Sequence, residues 1–216
     1  MGRPPKFSRG QLQTAALALV DEQGLPGLSM RALAAALGTG PMTIYNHVAH
    51  RADLEVLVIE AVVAKARWPR RRADGDWRRD VRAIATAIWR AVRAHPHAIP
   101  LLLTRRTRSP AALDVAEGLL DALARGGRSG QRLLIAFRTV NAFVMGFAQA
   151  ELAGPLALEA GEEPTAVIRR MRALPKQRYP RLIEIATAAV TSDAEREFRN
   201  GLDAVLAGLA PRTSRR

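Results

Sequence analysis

Along most of the chain apolar residues recur every three or four positions, a period that belongs to helices, and no segment alternates singly as a half-buried strand would. The first such stripe, Leu12, Ala15, Ala16, Leu19 and Val20, lies between a capping serine, Ser8, and a terminating glycine, Gly24, so a helix is predicted over about Ser8–Gln23. Two much shorter helices follow. Ser29 caps one over about Met30–Leu37, where Leu33, Ala34 and Leu37 share a face and Gly38 stands just past the end. Pro41, with its fixed φ and missing N–H, opens the other over about Pro41–Val48, with Ile44 and Val48 four residues apart. Leu54, Leu57, Val58, Ala61 and Val62 then predict a fourth helix over Ala52 to about Ala66.

The short pair, joined by a tight turn containing Gly38 and Gly40, reads as a helix-turn-helix, and the flanking helices supply the three-helix core such a pair needs. Burying Ile44 and Val48 leaves Thr43, Tyr45, Asn46 and His47 displayed on the remaining faces, and Arg31 points outward from the first turn of the preceding helix. That set suits a reader of the DNA major groove. Asn bridges an adenine edge, Thr bonds a base or touches a thymine methyl, and Tyr, His and the following Arg51 bond phosphate oxygens.

Between Ala66 and Asp76 the pattern breaks at Pro69 and the run Arg70-Arg71-Arg72, which reads as a hinge beside a solvated charge run. Helical periodicity resumes over about Asp76–Ala94, near Ala98–Leu103, and over Pro110–Ala124 and Gly130–Leu152. Gly154–Pro175 is a loop with one helix near Thr165–Ala173, and two helices follow over Pro180–Thr191 and Asp193–Leu209. The expected fold is all-α. Residues 1–67 form a DNA-binding domain, 68–76 a linker, 77–210 a second helical domain and 211–216 a disordered tail. The Gly130–Leu152 helix is apolar on several sides, through Leu134, Phe137, Val140, Asn141, Val144 and Phe147, so it should be buried against more than one neighbour. The last helix carries the stripe Phe198, Leu202, Val205, Leu206 and Leu209.

Composition sharpens the functional reading. The chain has 216 residues, 48% hydrophobic, enough for a sizeable core, and a formal net charge of +13 that calls for a polyanionic partner or surface. The arginines outside residues 1–51 read equally well as a solvated face without a ligand. In the arm Gly2-Arg3-Pro4-Pro5-Lys6 the prolines forbid helix, leaving Arg3 and Lys6 either to reach a minor groove or to add non-specific charge. With no cysteine there is no disulfide and no thiolate chemistry. The N-terminus lacks an apolar signal core and no run reaches the roughly 18 apolar residues that span a bilayer, so a soluble, cytoplasmic protein without a membrane partner is expected. His95-Pro96-His97 offers two ligands where zinc wants three or four, so it reads as a helix terminus and no metal or other cofactor is expected. His47 and His50 read as a phosphate contact and a turn. No glycine-rich phosphate loop, activated nucleophile or paired carboxylates argue for an enzyme. Charge alone leaves one alternative, a basic protein that coats DNA without regard to sequence.

The stretch from Phe7 to about Arg67, with Thr43-Ile44-Tyr45-Asn46-His47-Val48 as its recognition helix, resembles the DNA-binding domain of TetR-family transcriptional regulators. Trp77-Arg78-Arg79-Asp80, His95-Pro96, Ala142 to Phe147, and Ser192-Asp193 through Gly201-Leu202 extend the likeness to the tetracycline-repressor-like subgroup. The resemblance implies that Arg31, Pro41, Met42, Thr43, Tyr45, Asn46, His47 and Arg51 occupy positions from which relatives touch DNA. Asn46, where relatives often carry an aromatic residue, and Met42 depart from the family pattern and leave the operator sequence open. The resemblance further implies a ligand-responsive regulator of the repressor kind, released from a palindromic operator by a small-molecule effector. It implies an effector cavity in the C-terminal helices, lined by Trp89, Leu102, Leu103, Phe137, Phe143, Phe147 and Met171. It also implies a homodimer built on the two apolar helices, with Leu134, Val144, Phe198, Leu202, Val205, Leu206 and Leu209 at the interface. Two recognition helices about 34–36 Å apart would then read a palindrome. Leu103 falls where tetracycline repressors place their metal-binding His, and Ala150 near its acidic partner, which argues against a magnesium–tetracycline effector.

Overall fold

The computed structural model describes residues 7–67, 75–104, 108–153 and 164–209. Arg3, Lys6, most of the expected linker and the tail lie outside the described residues. Among these, the order is α1 (Arg9–Gly27), α2 (Met30–Ala36), α3 (Pro41–Tyr45), α4 (Arg51–Lys65), α5 (Trp77–Arg93), a 3-10 turn (Pro96–Ala98), α6 (Ile99–Thr104), α7 (Pro110–Arg125), α8 (Gly130–Ala153), α9 (Pro164–Arg172), α10 (Pro180–Ala189) and α11 (Ala194–Gly208).

The caps explain why the helices fall where they do. The Ser8 hydroxyl accepts from Gln11 N and the Gln11 amide oxygen accepts from Ser8 N, a reciprocal box that starts α1. Gly24 adopts φ 68° and breaks the helical run at the expected place, and a further turn through Pro26 completes α1 at Gly27. Ser29 Oγ accepts from Ala32 N at 3.1 Å, and Gly38, at φ 62°, makes the turn that a side chain would strain. The recognition helix is three residues shorter than expected. Asp53 Oδ2 accepts from Ala49 N at 3.0 Å and from His50 N at 2.9 Å to start α4, so the backbone must leave helical geometry after Asn46 to reach that cap.

Leu12, Ala16 and Val20 of α1, Leu33 of α2, Ile44 of α3 and Leu54 and Leu57 of α4 close the N-terminal core. Leu17, outside the expected stripe, is buried too, because α1 also packs against the 3-10 turn of the C-terminal half. Glu60 stands in the apolar face of α4, where an unpaired charge would be costly. Arg9 Nε and Nη2 donate to its two oxygens, each at 2.9 Å, and Gln13 Nε2 adds a third bond at 2.8 Å. Burial pushes the Glu60 carboxyl up, but Arg9 and Gln13 more than offset it and hold the group below the usual carboxylate range.

The C-terminal core joins α5, α7, α8 and α11. Trp89 of α5 stacks on Phe198 of α11 with ring centroids 4.5 Å apart, and Phe147 of α8 meets both rings edge-on. Phe143 fits because Gly201 opposite it has no side chain: a Cβ there would lie 2.8 Å from Phe143 Cζ. α9 and α10 pack chiefly on each other. Contrary to the sequence expectation, Gly130–Glu151 of α8 is long and apolar enough to cross a membrane, with mean hydropathy 1.4, yet only 28% of that window is buried within the chain. One side of α8 serves this core; the other is turned outward.

Candidate nucleic-acid interface and effector cavity

The turn between α2 and α3 aims one continuous surface outward. Arg31, Pro41, Met42, Tyr45 and Asn46 are exposed, Met42 at 75%, while Ile44 and Val48 anchor the helix from beneath. Thr43 and His47 are half-buried. The Thr39 hydroxyl donates to Thr43 Oγ1 at 3.0 Å, bracing the turn, and the His47 ring lies 6.4 Å from that of Phe7. An exposed amide, a phenol and an arginine on so short a segment provide base-edge and phosphate partners together.

Arg51 differs from the expectation. Its Nη1 donates to Leu28 O at 3.0 Å and Nη2 to Leu25 O at 3.1 Å, with Glu55 as a looser neighbour at 3.9 Å. Directly behind the recognition helix, the guanidinium thus clasps the α1–α2 corner to the start of α4. The signal was absent from the local sequence, because both carbonyls lie more than twenty residues away.

A cavity of about 60 Å³ lies among α4, α5, α6, α7 and α8. Its walls include Val62, Val63 and Ala66 of α4, Val92 of α5, Leu102 of α6, and Phe137, Asn141 and Met145 of α8. Two of the expected lining residues, Leu102 and Phe137, are there. Trp89, Phe143 and Phe147 instead form the aromatic core beside α11, Leu103 is 43% exposed, and Met171 is half-buried on α9. These rings pack against a neighbouring helix as core, whereas the cavity walls are mostly aliphatic side chains that a sequence cannot distinguish from ordinary core. No charged side chain lines the cavity, and Asn141 is its most polar wall.

The expected dimer residues also divide. Phe198, Leu202, Leu206 and Val144 are buried within the chain, and Val205 and Leu209 pack against the same core. Leu134 is 44% exposed, and beside it Ile135 is 53% exposed. The exposed positions of α8 mix the small residues Ala142, Gly146 and Ala150 with Arg138, Thr139 and Gln149, and those of α11 mix Ala204, Ala207 and Gly208 with Arg199, Asn200 and Asp203. Apolar periodicity marked the faces these helices need for their own core.

His95 and His97 do not converge on a common point. His95 Nδ1 lies 2.8 Å from Asp21 Oδ2, and His97 Nδ1 lies 3.2 Å from Val20 O and 3.1 Å from Asp21 O, so the 3-10 turn is docked onto α1. Among the described residues no group of three or more His, Asp or Glu side chains is placed to hold a metal.

A displayed recognition helix on a three-helix core, joined through α4 to a helical domain with an apolar cavity, defines a helix-turn-helix transcriptional regulator. Residues 12–54 match the family described as bacterial regulatory proteins, tetR family, and residues 69–213 match the tetracyclin repressor-like C-terminal domain. The chain belongs to the TetR family of transcriptional regulators. It is 31% identical over 206 residues to an HTH-type transcriptional regulator of Saccharopolyspora erythraea, covering 95% of this chain and 86% of that one. It is also 31% identical over 151 residues to the HTH-type transcriptional repressor DrrR1 of Streptomyces coeruleorubidus; that match takes in 70% of this chain but only 56% of the relative. Among solved structures, the TetR family protein ActR of Streptomyces coelicolor in complex with (S)-DNPA superposes with a TM-score of 0.75 at 26% identity, covering 96% of this chain and 98% of that one.

Proposed function

We propose that the chain is a ligand-responsive repressor that binds a palindromic operator as a homodimer and is released by a small molecule held in the C-terminal domain. Residues 1–67 serve as the DNA-binding domain, 68–76 as the linker and 77–210 as the effector and dimerisation domain, working by binding rather than catalysis in the cytoplasm, where the operator is. Arg31, Pro41, Met42, Thr43, Tyr45, Asn46 and His47 meet the DNA, with Asn46 reading a base. The outward faces of α8 and α11 supply the dimer contact, with Leu134 and Ile135 exposed on α8 and small residues such as Ala142, Gly146 and Ala204 letting helices from two copies approach.

One observation carries this reading: α4 follows the recognition helix after a short turn at one end, and at the other its Val62 and Val63, with Ala66 just past its end, are walls of the cavity. A ligand that widens the cavity therefore acts on the helix that sets the spacing of the recognition helices. It shifts the equilibrium only by its differential affinity for the two arrangements. The ligand-bound ActR structure supports an effector of this kind, and the uncharged walls favour an uncharged, largely apolar molecule. At about 60 Å³ the cavity is far below the roughly 300–1,000 Å³ of drug-sized sites, so binding requires its walls to move.

The test is selection from randomised duplex DNA with purified protein at physiological salt and excess competitor. A two-fold symmetric motif, released on adding uncharged aromatic probes but not charged ones, is the expected result. Uniform recovery of all sequences with a steep salt dependence would instead mark the charge-driven DNA coat.

A further inference from the structure

The contact between the two halves of the chain contains a buried histidine held between opposite charges. His95 is 7% exposed. Its Nδ1 faces Asp21 of α1, and its Nε2 lies 2.9 Å from Lys65 Nζ, at the last residue of α4. An ammonium only donates, so Nε2 must accept, and the imidazole is therefore neutral with its single proton on Nδ1, donated to Asp21 Oδ2. Adding a proton to Nε2 would set two donors and two positive charges 2.9 Å apart. Lys65 is exposed and on a long flexible stem, so it is the partner that leaves. On the other side of the ring, Asp21 Oδ1 is buried without a hydrogen-bond partner among the described residues, so Oδ2 carries that carboxylate's contact with His95.

We infer that Asp21, His95 and Lys65 form a proton-sensitive latch between the C-terminal domain and α4, closed when His95 is neutral and opened at Lys65 when it is protonated. The other groups around the turn do not replace it. His97 is engaged with the Val20 and Asp21 carbonyls, α6 carries no titratable residue, and Arg93 of α5 pairs with Glu151 of α8. The lever is α4, because Lys65 sits between the cavity walls Val63 and Ala66 on the helix that follows the recognition helix. Opening the latch frees that end of α4 and broadens the spacing of the recognition helices, so acidification weakens operator binding. The effect on DNA rests on the repressor reading above; the closed latch itself does not.

Two measurements separate those layers. Nitrogen-15 imidazole spectra of the intact protein at neutral pH should show His95 neutral with its proton on Nδ1, and Lys65→Met should alter its Nε2 resonance. A His95 that is protonated or carries its proton on Nε2 overturns the latch, whatever happens on DNA. Operator affinity, with the duplex recovered by selection as the probe, is then followed from neutral to mildly acidic pH. Every other pH-dependent group is shared by parent and His95→Gln, so the readout is the difference between the two. Relative to that variant, the parent should lose roughly three- to tenfold in affinity on acidification, the scale of one ordinary hydrogen bond, since Lys65 is exposed. Lys65→Met, an exposed change that should fold, should start at the weakened level and show no such loss. Parallel pH profiles for parent and His95→Gln would overturn the proposal.

Discussion

Arg51 separates two physical accounts of one residue. Its position just after the recognition helix suggests a phosphate contact, whereas its two hydrogen bonds to Leu25 O and Leu28 O make it a clasp on the α1–α2 corner. Replacing it with alanine deletes both bonds. Each is worth about 0.5–1.5 kcal/mol, and since the side chain is 57% exposed the lower part of that range applies, for a total of about 1–2 kcal/mol. The Glu55 neighbour at 3.9 Å adds little on an exposed helix surface. For a chain of this size the loss lowers Tm by about 2–8 °C. Lysine carries the charge but lacks the planar fork whose two ends serve the two carbonyls, so Arg51→Lys should recover only part of it. The assay pairs thermal unfolding with operator affinity across a salt series. A clasp predicts lower Tm, uniformly weaker binding because the recognition helix is less well held, and an unchanged salt slope. An Arg51→Ala protein with unaltered Tm and a slope reduced by about one would refute the clasp and restore the phosphate contact.

Asn46→Ala should relax preference at one operator position, by about 1–3 kcal/mol of discrimination, as read by repeating the selection; equal loss on every sequence would remove its base-reading role. Glu60→Gln leaves Arg9 without its carboxylate and should cost about 1–2 kcal/mol at neutral pH, the buried-pair figure discounted because Arg9 is 58% exposed. Because the folded-state Glu60 carboxyl is held below its ordinary value, its stabilisation is complete above the unfolded value of about 4.3 and is lost as pH falls through the lower folded one. Urea unfolding of parent and Glu60→Gln should therefore converge in strong acid, and a gap that stays constant would contradict the pairing. Gly201→Ala should destabilise by about 1–3 kcal/mol, because its Cβ meets Phe143 at 2.8 Å. Combining it with Phe143→Leu should give less than the sum of the single losses, and strict additivity would mean that the two positions do not touch.

Much of the architecture was legible residue by residue. Ser8 and Ser29 cap the helices they were expected to cap, Gly24 and Gly38 adopt the positive φ expected of terminators, and Pro41 opens the recognition helix. Outward display of Asn46 and Tyr45 followed from the burial of Ile44 and Val48. These signals are local: a cap, a turn or an apolar period is decided within about one helical turn of chain. The site was less legible wherever distance mattered. Nothing near Glu60 in the chain points to its partner Arg9, 51 residues earlier.

By itself, then, the sequence determined an all-helical chain and the place and display of its recognition helix, because short-range periodicity and capping chemistry carry that information, while the likeness to a family of regulators rested on its motifs. Only the tertiary structure decided that Trp89, Phe143, Phe147 and Phe198 build one core rather than line a cavity, and that Leu202 and Leu206 of α11 are spent on that core. It alone placed Arg51 on distant carbonyls and His95 between Asp21 and Lys65. An apolar side chain gains about the same from any water-free neighbour, and a cation from any acceptor within reach. Composition therefore says that such groups will be satisfied, and only packing says by whom.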